Sequence, residues 1–120
     1  MNDLTICLPY YLNAGMLARQ YAALAALPAE LKAHLRLIVV DDGSPTAPAT
    51  PPAADLGLPV ALYRITVDVP WNQDAARNLA VAEARTRWVV LIDIDHVLPP
   101  ATEIGAYTIA LVCNADSALA

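Results

Sequence analysis

A chain of 120 residues, 58% of them apolar, is long enough to bury an ordinary core without disulfide or metal staples. Seven basic against twelve acidic side chains leave a net charge of −5, which repels phosphate backbones and anionic bilayers and excludes nucleic acid as a partner. No apolar run approaches the ~20 residues of a membrane span, so no transmembrane segment is expected. Asp3, with no basic residue ahead of the first apolar run, is unlike a secretory leader, and a cytoplasmic protein is the expectation. Cys7 and Cys113 have neither metal-site nor redox spacing and read as buried free thiols.

Taken in chain order, residues 4–8 form a first apolar run that reads as a strand. Asn13 can cap a helix after it, with Leu17, Tyr21, Leu24 and Leu27 recurring at intervals of three and four until Pro28 ends or restarts it. Residues 35–40 are the second run. Pro45, Pro48, Pro51, Pro52 and Pro59 exclude a regular helix from 44–59, which reads as a loop or a poorly ordered crossover. A third run covers 60–67. The alanine-rich segment 74–85 predicts a second helix whose narrow face, Ala76, Leu79, Ala80 and Ala84, suits close packing on a sheet. The fourth run is 88–92. Runs one, two and four lack polar alternation, as strands covered on both faces do. The order predicts an α/β fold: a Rossmann-like open sheet, mainly parallel, with right-handed crossovers, in a single domain over 1–120. The apolar stretch 104–112 reads as a further short strand or helix, within a tail over 101–120.

Ligands of open parallel sheets bind outside the carboxyl ends of the strands, and these ends carry the chemistry. The first strand exits into Pro9-Tyr10-Tyr11, the second into Asp41-Asp42-Gly43-Ser44, and the fourth into Asp93-Ile94-Asp95-His96. In extended backbone Asp93 and Asp95 point to one face, and two converging carboxylates suit a hard cation such as Mg2+ or Mn2+ shared with phosphate oxygens. The competing structural role for this pair is to cap a turn. Asp-Asp-Gly-Ser is also good turn chemistry, with Gly43 free to take positive φ; alternatively, a carboxylate there accepts the imide N–H of uracil. Tyr11 either stacks on a base or belongs to the core. Arg77, inside the second helix, either braces phosphate or pairs with Asp74 or with an aspartate of the fourth strand.

Leu4-Thr5-Ile6-Cys7-Leu8-Pro9-Tyr10-Tyr11, Leu37-Ile38-Val39-Val40-Asp41-Asp42-Gly43-Ser44, Ala76-Arg77-Asn78 and Val89-Val90-Leu91-Ile92-Asp93-Ile94-Asp95 resemble, in order, the successive signatures of family 2 glycosyltransferases. The resemblance implies the nucleotide-sugar-binding half of a GT-A fold and covers residues 4–100. It implies a nucleotide diphosphate sugar as partner, a UDP-sugar before others, and a divalent metal, Mn2+ or Mg2+. It places Pro9 and Tyr11 at the base, Asp41 and Asp42 in the nucleotide site with Asp42 meeting the uracil, and Arg77 at the diphosphate. Asp93 approaches the ribose, and Asp95 binds the metal with Asp93 beside it, as a DxD motif. The activity implied is transfer of a hexose to an acceptor hydroxyl.

The family commonly has a glycine-containing loop before Ala-Arg-Asn, where this chain has Trp71-Asn72-Gln73-Asp74, and a third acid where His96 stands. Twenty residues follow Pro100, fewer than the acceptor-binding half of the family needs. A truncation, a module completed by another chain and a degenerate copy all fit that shortness. A second function therefore stays open, a nucleotide-binding or interaction module without turnover. A third does too, since 92–98 also resembles the nucleophile motif of haloacid-dehalogenase-type phosphatases, with Asp93 as nucleophile and Asp95 as general acid. A half-domain exposes apolar surface, so a homo-oligomer is expected, assembled in part through Ile104, Tyr107, Ile109, Leu111 and Val112.

Overall fold

The computed structural model describes residues 4–70 and 72–95 and the backbone of 112–114. Its elements run β1 (Leu4–Tyr10), α1 (Ala14–Ala25), α2 (Ala29–Lys32), β2 (Leu35–Asp41), β3 (Val60–Arg64), α3 (Gln73–Glu83), β4 (Trp88–Leu91) and β5 (Val112–Asn114). The expected tail 101–120, with its proposed contact residues, lies outside the described residues apart from the backbone of β5.

The sheet order is β3-β2-β1-β4-β5. Strands β1 to β4 are mutually parallel and β5 returns antiparallel along β4, so the sheet is the mainly parallel one expected. Tyr10 stands opposite Asp41, and Asp41 opposite Arg64, which brings the carboxyl ends of three strands to one edge. The chain first builds outward from β1 to β2 and β3, then crosses back to lay β4 on the other side of β1. The strand order therefore reverses between β1 and β4, the place where sheets of this kind open a crevice.

Strand alternation divides the core in two. Ile6, Leu8 and Tyr10 of β1 and Leu35, Leu37 and Val39 of β2 face α1, where Leu17, Tyr21 and Leu24 meet them. Cys7, Ile38 and Val40 face α3 and its Ala76, Ala80 and Val81. The small alanine face lets α3 lie close on the sheet. Cys7 is the buried free thiol expected, and burial pushes it up to about 12; the side chain of Cys113 lies outside the described residues.

Helix α1 is capped by Asn13, whose Oδ1 accepts from Met16 N. Pro28 restarts the chain as α2. The third strand ends at Arg64, three residues short of expectation. Its partner β2 stops at Asp41, and Ile65 N to Asp41 O is the rung with which the ladder runs out.

The Pro-rich stretch forms no helix or strand, but it is well anchored. Asp41 Oδ2 accepts from Ala49 N, Tyr10 Oη donates to Ala47 O and Tyr21 Oη to Thr50 O. Lys32 Nζ reaches Leu56 O, and Leu56 and Leu58 are buried in the α1-side core. A segment poor in amide hydrogens cannot close a ladder of its own, and here side chains of the sheet and α1 supply its partners.

Candidate functional site

Adjacent residues on a strand point to opposite faces, and this gives the two consecutive aspartates different surroundings. Asp41 continues the Leu37–Val39 row toward α1 and the Pro-rich loop. It is 1% exposed, and its oxygens accept from Ser44 N at 2.9 Å and Ala49 N at 2.8 Å. This is the turn role that Asp-Asp-Gly-Ser allowed. Asp42 falls on the opposite side, at the edge of a cavity of about 410 Å³ that also takes in Pro9, Tyr11 and Ile94. Asp42 is 7% exposed, and its Oδ1 is buried without a hydrogen-bond partner among the described residues. Burial, then the nearby charges of Asp68 and Asp41, push its carboxyl above the usual carboxylate range.

Three loops meet around this cavity. Tyr11 reaches across from the β1–α1 loop and donates its hydroxyl to Asp68 Oδ2 at 2.9 Å. Asp68, Val69, Pro70 and Gln73 form the wall from the β3–α3 loop and the start of α3. Ser44 ties the remaining loop in, since its Oγ accepts from Leu12 N and its carbonyl from Arg64 Nη2. Gly43 sits at φ 72°, where a Cβ would stand 2.5 Å from Val67 O, so only glycine lets the β2–β3 and β3–α3 loops close to this distance. The hydrogen bond to Asp68 also raises the Tyr11 hydroxyl.

Beyond β4 the alternation persists for three residues. Ile92 and Ile94 pack with the α1-side core, and Asp93 meets Arg77 of α3, Nη2 to Oδ1. Arg77 also lies 3.8 Å from Asp74, and its Nε is buried without a partner among the described residues. The extended backbone expected through Asp95 is not kept: Ile94 and Asp95 form a turn, and Asp95 is exposed. A strand-like alignment of the two carboxylates therefore does not hold, because the fourth strand leaves the sheet after Leu91. The turn is held instead by Gln20 of α1, whose Nε2 donates to Ile94 O at 2.8 Å.

The cavity thus unites Pro9, Tyr11 and Asp42, while Asp41 lies behind it and Arg77, Asp93 and Asp95 stand outside its lining. Asp68 was not singled out from sequence and carries no motif, and Gln73 was noted only as part of the Trp71-Asn72-Gln73-Asp74 loop. Gln20 did leave a signal: it lies three residues after Leu17 and four before Leu24, so a polar side chain sits on the apolar face.

Among the described residues no three His, Cys, Asp or Glu gather as a ready-made metal cage. A small hard cation that completes its shell with phosphate and water needs only one or two carboxylates. The exposed carboxylate of Asp95 and that of Asp93 are donors of this kind, and the residues present fit such an ion. No helix among the described residues is long and apolar enough to cross a membrane.

A mainly parallel sheet of this order, with an acid-rimmed cavity at its switch edge, defines the nucleotide-binding half of a GT-A fold. The chain belongs to glycosyl transferase family 2, whose family model matches residues 5–105. Among solved structures it is similar to S. aureus TarS 1–349, with a TM-score of 0.66 and 19% identity over 88% of this chain and 31% of that one. A longer S. aureus TarS structure matches with a TM-score of 0.65 and 18% identity over 90% of this chain and 19% of that one. TarS 1–349 in complex with UDP-GlcNAc matches at 0.57, with 18% identity over 88% of this chain and 30% of that one. The chain therefore spans under a third of the TarS structures it resembles. No curated protein matches it. Family membership displaces the phosphatase reading.

Proposed function

We propose that the chain binds a nucleotide diphosphate sugar, a UDP-sugar before others, as the donor half of a glycosyltransferase. The observation that carries this reading is Asp42 itself, which lines a cavity at the switch edge and whose Oδ1 is buried without a hydrogen-bond partner among the described residues. An acceptor oxygen kept from water and from protein donors is costly unless a ligand satisfies it, and the imide N–H of uracil is a donor of the right kind. Pro9 and Tyr11 border the base, and Asp41 shapes the turn that presents Asp42. Arg77 braces the diphosphate, exchanging part of its pairing with Asp93 for phosphate oxygens. Asp93 lies toward the ribose, and Asp95, with Asp93, holds Mn2+ or Mg2+. That ion, when bound, neutralises charge on the diphosphate leaving group. The binding of UDP and UDP-GlcNAc by S. aureus TarS supports the choice of nucleotide.

For transfer, an acceptor site and a base to deprotonate the acceptor hydroxyl would have to come from groups other than the residues assigned above. Calorimetric titration with uridine, guanosine, adenosine and cytidine diphosphates, with and without Mn2+, tests base, phosphate and metal together. UDP should bind tightest and gain affinity with Mn2+. Equal affinity for all four bases would overturn the assignment of Asp42.

A further inference from the structure

We infer that Gln20 is a positioning residue for the metal-binding turn. The inference rests on the reading of Asp93 and Asp95 as the metal pair. Gln20 is 1% exposed, in the middle of α1 on the face that packs against the sheet. A primary amide in such a place is costly to desolvate unless it is hydrogen-bonded, and Gln20 spends a donor on Ile94 O, 74 residues away in the chain. The carbonyl it holds belongs to the peptide that joins Ile94 to Asp95, so its direction fixes where Asp95 begins. The Ile94 side chain packs into the same α1-side core, while Asp93 is drawn to Arg77 on α3. The turn is therefore clamped from both faces of the sheet: apolar contact and one amide on the first face, an ion pair on the second. The last rung to β1 is Ile92 N to Cys7 O, and the carboxylates lie past it, where the ladder no longer sets backbone direction. Residues that orient metal ligands without touching the metal are worth roughly 10- to 100-fold in metal affinity.

The test uses UDP and Mn2+ with the chain as it stands. Gln20→Met keeps the volume and removes the donor; Gln20→Glu keeps the shape and sets a carboxylate against the carbonyl. The expected result is that both variants bind UDP without metal as the wild type does, while the gain in UDP affinity on adding Mn2+ falls by roughly 10-fold or more. Free Mn2+ followed by electron paramagnetic resonance at saturating UDP should show the same loss. A full Mn2+ gain in Gln20→Met overturns the role of Gln20. So does a parallel loss of metal-free UDP affinity in both variants, which would mark a merely structural amide. A wild type indifferent to Mn2+ overturns the metal reading itself, a different failure.

Discussion

Arg77 Nη2 donates to Asp93 Oδ1 at 2.5 Å, tying α3 to the end of β4. A proposed phosphate brace and a proposed metal neighbour are thus ion-paired with each other. Both are partly exposed, and ion pairs of that kind contribute about 0.2–1 kcal/mol. Arg77→Ala should let Mn2+ bind the nucleotide-free chain slightly better, by roughly 1.4- to 5-fold, and should weaken UDP. Titration of Mn2+ alone and then of UDP measures the two effects separately.

Asp42→Ala should reduce UDP affinity by roughly 10- to 100-fold, the worth of about 1.5–3 kcal/mol for a hydrogen bond to a charged group. Adenosine and cytidine diphosphates should change little, since the corresponding ring nitrogen of each base carries no hydrogen to donate. A uniform loss across all bases would show a phosphate-directed role instead.

The raised pKa of Asp42 gives a pH dependence of definite sign. The folded chain binds the Asp42 proton more tightly than the unfolded chain does. The resulting stability is fully present below the unfolded carboxylate value and is lost as pH rises through the folded one. Asp42→Asn should flatten that part of the stability curve in urea titrations across the acid range. UDP binding should run the other way, weakening as pH falls and the carboxylate takes up its proton.

Asp41→Ala should act on the fold and not on base choice. It strands the amides of Ser44 and Ala49, each worth about 1–3 kcal/mol if left buried and unpaired. A clear drop in the urea midpoint is expected, with the ranking of nucleotides retained in whatever remains folded.

Gly43→Ala should destabilise by more than about 1 kcal/mol, since it adds a side chain at positive φ against backbone that cannot withdraw. Thermal unfolding would register it. Unchanged stability would mean that the β3–α3 loop yields.

Periodicity made the sheet readable. Residues 4–8, 35–40 and 88–92 are nearly continuous in apolarity, broken only by Thr5 and Arg36, because the strands are largely covered on both faces, and the observed strands differ from those runs only at their ends. The edge strand β3 was read too long, since its end is set by where Asp41 stops offering a partner and not by its own side chains. Tyr11 and Asp42 were legible as members of strand-end motifs. The division of labour between Asp41 and Asp42 was not, because it depends on which face each aspartate meets. Asp68 and Gln20 act through contacts spanning 57 and 74 residues, and local spacing carries no trace of the partner. The order of the Pro-rich loop was hidden for the same reason: its amides are satisfied from the sheet and α1.

The alternation along β2 also limits which kinds of sequence change this site can absorb. A substitution at 41 or 42 alters one side chain, but inserting or deleting one residue upstream in β2 would turn every later side chain to the other face. The loop anchor would then face the cavity and the cavity-lining acid would be driven into the core beside Tyr10. Single-residue length changes in β2 should therefore be far more damaging than length changes in the 50–55 stretch, where no strand register has to be kept.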